Sequence, residues 1–380
     1  MNNIFAYPEL IKIKKAVYYD IAPITLPKPF KDGTGSIRYA TFFKGWVKLF
    51  DKDGNCGQGP ASPLFVDFFL PRLLKVEGKS NGDWIEYFWL EIRNFGYQSP
   101  YISEMTNLDW ILLDLLANRA GKPLHRFLGA TRDWARVYKG GGSVLYRDEE
   151  LLEDLTRFQA EGYTTTKFKI GGHGTDITED VHRLEKVRKA LGNDMRIAVD
   201  ANQAWDADTA FAFAKAAAPY DVAWFEEPIH AYDMDELRKL RNLLDEAGIP
   251  MQIAMGESVR SYHTHVAYAE HGVDHLQPAR LYCLSENMRV RTFAHAHNCT
   301  ISTGGFTFQN VALGALYSEN EPIEYHQPLN EVIVPYFSLV SEMKDGCFYL
   351  PDEPGLPVHL DFEKLECDGL LKGMQFYYNQ

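Results

Sequence analysis

Thr166-Lys167-Phe168-Lys169-Ile170-Gly171-Gly172 is an apolar, β-branched run that carries two lysines two residues apart. In a strand, that spacing puts both ammonium groups on one face. Two cations side by side on a half-buried face repel, which lowers the pKa of at least one of them and predicts a neutral amine at pH 7. A neutral, buried lysine is a general base.

Three further strand-like runs follow, and each ends in acid. Arg196-Ile-Ala-Val-Asp200 is followed by Ala-Asn202, Val222-Ala-Trp-Phe-Glu226 by Glu227-Pro228, and Met251-Gln-Ile-Ala-Met-Gly-Glu257 closes the series. Lys169, Asp200, Glu226 and Glu257 stand 31, 26 and 31 residues apart, one strand, helix and loop per step. Polar groups at the carboxyl ends of successive parallel strands converge on one mouth of a (β/α) barrel, where barrel enzymes keep their chemistry. Asp200, Glu226 and Glu257 around one point would repel strongly without a hard divalent cation, and all-oxygen ligation favours Mg²⁺. A lysine base beside such a cation suits removal of a proton next to a carboxylate, with the metal holding the charge of the enediolate.

Lys167-x-Lys169, Asp200-x-Asn202, Glu226-Glu227-Pro228 and Gly256-Glu257 resemble the signature of the enolase superfamily, and within it the mandelate racemase and acid-sugar dehydratase branch. The likeness runs from the helical stretch near Leu108 to the glycine-rich tail near Pro354, and more loosely over the first hundred residues. It implies an α/β fold, a modified (β/α)7β TIM-type barrel with an N-terminal α+β capping domain. It also implies a homo-oligomer and a small-molecule carboxylate substrate.

Length and composition agree with this. A chain of 380 residues is too long for one ordinary domain, and 46% hydrophobic content is ample for buried cores. The net charge of −13 argues against nucleic acid or an anionic membrane surface as partner. No run approaches the roughly 20 apolar residues of a membrane span, and the polar Met1-Asn2-Asn3 start is unlike a signal peptide, so a cytoplasmic location is expected. Cys56, Cys283, Cys299, Cys347 and Cys367 are odd in number and scattered, which predicts reduced thiols.

The first hundred residues read as strands and then helices. Ile11 to Ile21 is strand-like. Phe42 to Phe50 alternates, and Asp51-Lys52-Asp53-Gly54 turns the chain back through Gly57 and Gly59 as a hairpin. The resemblance implies that loops near Thr25–Gly35 and Gln58–Phe65 overhang the substrate. Lys28, Lys31 and Arg38 read more simply as solvated loop charge. Phe65 to Gly129 is mostly helical, with Thr106 or Asn107 as N-cap of its last helix and Gly121 and Pro123 as its stop. The cap is expected over 1–128, rejoined by a tail from about 345 to 380, and the barrel over 129–344.

Within the barrel, Ala135 to Lys139 is the first strand, Asp176 and Glu179 predict a capping-box start to the helix after the lysine strand, and further helices begin at Asp206 and near Asp233. The later strands depart from the family pattern. The sixth, Val273 to Arg280, has Ala279 where mandelate racemase-like members commonly place an Asp. The seventh, Cys299 to Gly305, has Thr303 and no histidine, and no second lysine stands on the sixth strand as in muconate cycloisomerase-like members. The eighth, Pro322 to His326, offers Glu324 and His326 at i, i+2 spacing as site residues. Tyr282 is a lesser candidate for an acid reaching the site.

The resulting expectation is a Mg²⁺-dependent sugar-acid dehydratase acting on an aldonate or aldarate. Lys169 takes the α-proton, Lys167 tunes it and holds the carboxylate, Asp200, Glu226 and Glu257 hold the metal, and Asn202, Glu324 and His326 meet the substrate. Loss of the β-hydroxyl then gives a 2-keto-3-deoxy acid. Racemisation, epimerisation or cycloisomerisation on the same scaffold is the alternative, with a non-catalytic metal-binding barrel behind it.

Overall fold

The structure is a computed structural model and describes residues 3–33, 35–40 and 44–379. Met1, Asn2, Thr34 in the predicted overhanging loop and Phe42 at the predicted strand start lie outside the described residues.

Eight strands form the barrel: Trp134–Gly141, Thr165–Lys169, Arg196–Asp200, Val222–Glu226, Ile253–Met255, His275–Leu276, Thr300–Ile301 and Ile323–His326. Neighbours pair in parallel from the first to the seventh. The ring closes where the eighth strand pairs with the first, Ile323 opposite Val137 through His326 opposite Gly140, and where Thr303 bridges Ile323. A helix lies between each strand and the next, and the eighth is followed by a single turn, Gln327–Asn330. This is the expected (β/α)7β barrel with an α+β cap.

Period-two alternation divides the strands into an outer and an inner set. Phe168, Ile197, Val199, Phe225, Ile253, Leu276, Ile301 and Ile323 pack outward in the large core shared with the helices. Tyr138, Ala198, Trp224 and Ala254 point inward as a separate plug. The two alanines leave room for the Tyr138 and Trp224 rings, which meet edge to face at 5.3 Å. His275 stacks on the Trp224 ring at 4.9 Å, and the lysines and carboxylates of the mouth stand toward the carboxyl ends of the strands.

In the cap, Ile13–Ile21 lies between Gly45–Asp51 and the C-terminal strand Leu371–Tyr378, and Cys56–Pro60 completes the antiparallel sheet. The Asp51 carboxylate accepts from the Asp53 and Asn55 amides at 2.8 and 2.9 Å, and Gly54 takes a φ of 85°, which makes the predicted turn. Another part of the tail, Cys347–Tyr349, pairs instead with Trp134–Arg136 of the barrel. A second hairpin, Ile24–Lys31 with Ser36–Ala40, reaches over the mouth. Ser143 ties it to the first barrel strand's loop by accepting from the Lys31 amide at 2.8 Å.

Two helix starts differ from expectation. The long cap helix runs Pro100–Arg119, so Thr106 and Asn107 lie inside it. Proline at its first turn presets φ and lacks the N–H that would go unbonded there. The Thr106 hydroxyl donates to the Leu281 carbonyl at 2.6 Å instead. The helix after the lysine strand spans Thr178–Leu191 without a capping box; Asp176 accepts from the Thr178 amide at 3.0 Å just ahead of it. Asp206 and Asp233 do cap their helices, each accepting from the amide three residues on. The five cysteines are unpaired. No helix among the described residues is long and apolar enough to cross a membrane.

Candidate active site

Lys167 and Lys169 project from the second strand into the barrel mouth, 1% and 4% exposed. Lys169 Nζ lies 2.5 Å from Asp200 Oδ2. Lys167 Nζ makes a short contact with Glu226 Oε1 and stands 3.3 Å from Asp200 Oδ2 and 3.1 Å from Glu324 Oε1. The closure of the barrel brings Glu324 there, since its strand pairs with the first, which in turn pairs with the second. A β-carbon on Gly140 would come within 2.3 Å of Glu324 Oε1, so only glycine leaves space for this carboxylate.

These contacts overturn the expectation of a neutral lysine in the resting site. Burial pushes Lys167 down, but Glu226 and Glu324 outweigh it and hold its ammonium well above the ordinary range. Burial likewise opposes the charge on Lys169, and Asp200 overcomes it; repulsion from Lys167 is present but smaller. Sequence spacing reveals the like charges on one strand and not the carboxylates arriving from its neighbours.

Asp200, Glu226 and Glu257 each offer an oxygen, and the three atoms lie within 4.8 Å of one another. Burial pushes Glu257 up to about 8, and the charges of Glu227 and Asp200 add to it. Glu226 is also raised well above its usual range, first by burial, against the pull of Lys167. Asp200 is the exception: burial opposes its charge, but Lys169 and Lys167 draw it below the usual carboxylate range. Glu227 Oε1 and Asn202 Oδ1, on the residues beside this cluster, are buried without a hydrogen bond. An all-oxygen donor set with crowded, proton-retaining carboxylates fits a hard divalent cation.

The backbone of the mouth is strained to hold these groups. Asn202, Gln203, Glu227 and Arg280 all have positive φ, at 44°, 67°, 39° and 48°. Gly256, before Glu257, has φ +139°, and a β-carbon there would meet the Gln277 carbonyl at 2.8 Å.

The remaining sequence candidates fall into place around this centre. Asn202 donates to Glu257 Oε1 at 3.3 Å, and its amide to Asp200 Oδ1 at 2.9 Å. His326 packs edge-on against Phe30 of the cap hairpin at 5.0 Å, with Nδ1 buried and without a partner. Burial, then the charge of Lys169, push its pKa down to about 4, so the imidazole is neutral at pH 7. Thr303 pairs with the Tyr317 hydroxyl at 3.2 Å. Tyr282 belongs to the cap core, where it stacks on Trp89 at 5.6 Å, and is no candidate acid.

Sequence reasoning missed the groups that fix Glu226. Trp224 Nε1 donates to its Oε2 at 3.0 Å and Gln277 Nε2 to the same atom at 2.6 Å. Both signals were present: Trp224 stands two residues before Glu226 and Gln277 two before Ala279, on the inward faces of their strands. Gly33 was also missed. It presses so closely on the third strand's end that a β-carbon would meet the Ala201 carbonyl at 2.3 Å.

The family described as Enolase C-terminal domain-like matches residues 150–365, and the chain belongs to the enolase superfamily. Its relatives there are mandelate racemase-like and catalyse several reactions. The chain is 30% identical over 265 residues to L-talarate/galactarate dehydratase of Salmonella typhimurium; the match covers 69% of this chain and 64% of that enzyme, just under two thirds of its length. It is 30% identical over 359 residues to 3,6-anhydro-alpha-L-galactonate cycloisomerase of Streptomyces coelicolor, covering 91% and 96% of the two chains. A racemase from Streptomyces coelicolor A3(2), solved with bound magnesium, superposes with a TM-score of 0.80 at 25% identity, covering 94% and 99%.

Proposed function

We propose that this enzyme is a Mg²⁺-dependent dehydratase of a sugar acid, with Lys169 as the base and Asp200, Glu226 and Glu257 as metal ligands. The observation that carries the reading is the one-sidedness of the mouth. Both lysines stand on the second strand, while the sixth and seventh strand ends across from it present Ala279 and a Thr303 engaged with Tyr317. Racemisation needs a proton-transfer group on each face of the α-carbon; elimination can proceed with one.

A divalent cation at the three carboxylates supplies Lewis-acid charge to the substrate carboxylate, which makes its α-proton more acidic. Lys169 is protonated in the resting site because Asp200 faces it, and it becomes a competent base once that carboxylate's charge is engaged elsewhere. Lys167, held by Glu226 and Glu324, stays charged and pairs with the substrate carboxylate. Lys169 Nζ takes the α-proton, the electron pair passes through the enediolate to expel the β-hydroxyl, and the same Nζ gives its proton to the departing oxygen as water. The enol then tautomerises to the 2-keto-3-deoxy acid. Asn202 keeps Glu257 in place, and Phe30 of the cap hairpin packs over His326.

The dehydratase relative supports this reading. A second reading, epimerase or cycloisomerase, is favoured by one observation: His326 is neutral, lies within the field of Lys169, and has a buried Nδ1 with no hydrogen bond. A panel of mono- and dicarboxylic sugar acids, assayed for 2-keto product with Mg²⁺ and again after chelation, tests the proposal. Product that appears with Mg²⁺ and vanishes on chelation is expected. Isomerised acid without 2-keto product would replace dehydration with the second reading.

A further inference from the structure

The chemistry above makes no use of His275, a buried histidine of the sixth strand whose ring lies nearly parallel to that of Trp224. A chain of hydrogen bonds runs from it to Glu226. One Nε2 proton of Gln277 goes to Glu226 Oε2 at 2.6 Å, and the other points to Ser302 Oγ at 3.4 Å. The Ser302 hydroxyl then has its own proton free for His275 Nε2 at 2.8 Å, which puts the ring proton on Nδ1, 2.7 Å from Thr300 Oγ1. Burial, then the charge of Arg196, push the imidazole down to about 3, so the ring carries that single proton. At the other end of the Gln277 amide, Oε1 is buried without a hydrogen bond. The amide is therefore placed for its donor end, since turned over it would set Oε1 against the Glu226 carboxylate.

A carboxylate oxygen has two lone pairs for hydrogen bonds. Trp224 Nε1, at 3.0 Å, takes the second on Oε2, so this oxygen is saturated and Glu226 keeps only Oε1 for a cation. The other two carboxylates are committed in the same way, though more lightly. Asp200 Oδ1 accepts from the Asn202 amide at 2.9 Å, and Glu257 Oε1 from Asn202 Nδ2 at 3.3 Å. Ca²⁺ gathers roughly six to eight oxygens and readily takes both of one carboxylate, whereas Mg²⁺ demands a compact octahedron. For Glu226 to bind through both oxygens, the Trp224 and Gln277 N–H groups must be left buried and unbonded, which is costly.

We propose that Trp224 and Gln277, the latter aimed through Ser302 by His275, limit Glu226 to a single metal-binding oxygen and so set the site against Ca²⁺ and in favour of Mg²⁺. All four act as positioning residues. This rests on Asp200, Glu226 and Glu257 being the metal ligands.

Calorimetric titration of the whole protein with Mg²⁺ and with Ca²⁺, in the absence of any substrate, tests it. The unmutated protein is expected to bind Mg²⁺ at least about tenfold more tightly than Ca²⁺, a comparison that needs no variant. Gln277→Met keeps the length of the side chain and removes both donors. It should weaken Mg²⁺ by roughly tenfold to a hundredfold, the usual cost of losing a hydrogen bond to a metal ligand, while Ca²⁺ binds as before or more tightly. Ser302→Ala, which separates Gln277 from His275, should narrow the ratio in the same direction by less, and it decides the matter should Gln277→Met fail to fold. A site merely loosened by the substitution would lose both cations alike and keep the ratio. Ca²⁺ bound as tightly as Mg²⁺ by the unmutated protein, or an unchanged ratio in the folded variants, overturns the inference and leaves the metal centre standing. If neither cation binds, the metal centre and the inference fall together.

Discussion

Lys169 faces Asp200 at 2.5 Å and Lys167 lies among three carboxylates, so the two lysines of one short strand do different work. Lys167 has too many anionic partners to release its proton readily, and it suits a fixed positive charge. Lys169 has one close partner, and that partner is itself a proposed metal ligand. Lys169→Ala should therefore reduce kcat/KM by roughly 10² or more, the contribution of a positioned general base, while calorimetry shows Mg²⁺ binding nearly unchanged. Retention of more than about a tenth of the activity would assign the base elsewhere, since that loss is too small for such a group.

The elements meet at a joint built on one buried carboxylate. Asp114, in the helix Pro100–Arg119, accepts from the Gln58 amide of the cap hairpin at 2.7 Å, the Leu356 amide of the tail at 2.7 Å and Asn118 Nδ2 at 3.0 Å. Gly355, at φ +85°, allows the tail this close, since a β-carbon would stand 2.4 Å from Asp114 Oδ1. Burial nevertheless pushes Asp114 up to about 7 against these hydrogen bonds. The folded state thus holds its proton more tightly than the unfolded chain, whose aspartates titrate near 4. Its contribution to stability is fully present below about pH 4 and is lost as pH rises through about 7. Denaturation midpoints measured between pH 5 and 8 should show this part of the fall in the unmutated protein, and Asp114→Asn should remove it. An unchanged slope in the variant would mean that Asp114 is ionised in the fold at all these pH values.

At the scale of the whole molecule, the sequence revealed the barrel because strand and helix alternate at steps near 30 residues, with acidic ends on the third, fourth and fifth strands. The same rhythm located Lys167, Lys169, Asp200, Glu226 and Glu257, whose relation follows from strand order alone. It could not show what ring closure adds. Glu324 reaches Lys167 only because the eighth strand meets the first, and that contact, with the carboxylates from the third and fourth strands, reversed the expected lysine pKa. Nor could periodicity place Phe30 and Gly33, whose hairpin belongs to the cap and whose contacts belong to the mouth. The start of the long cap helix was misread because proline, rather than a side-chain cap, sets its first turn.

That closed mouth, with its lysines on one side, carries the central claim that one base removes the α-proton and water leaves. Incubating the enzyme, Mg²⁺ and its sugar acid in D₂O and following the reaction by proton NMR tests it most directly. The account predicts a 2-keto-3-deoxy product, with recovered substrate keeping its configuration at the α-carbon. Recovered acid that carries deuterium at an inverted α-carbon, with no loss of water, would contradict it.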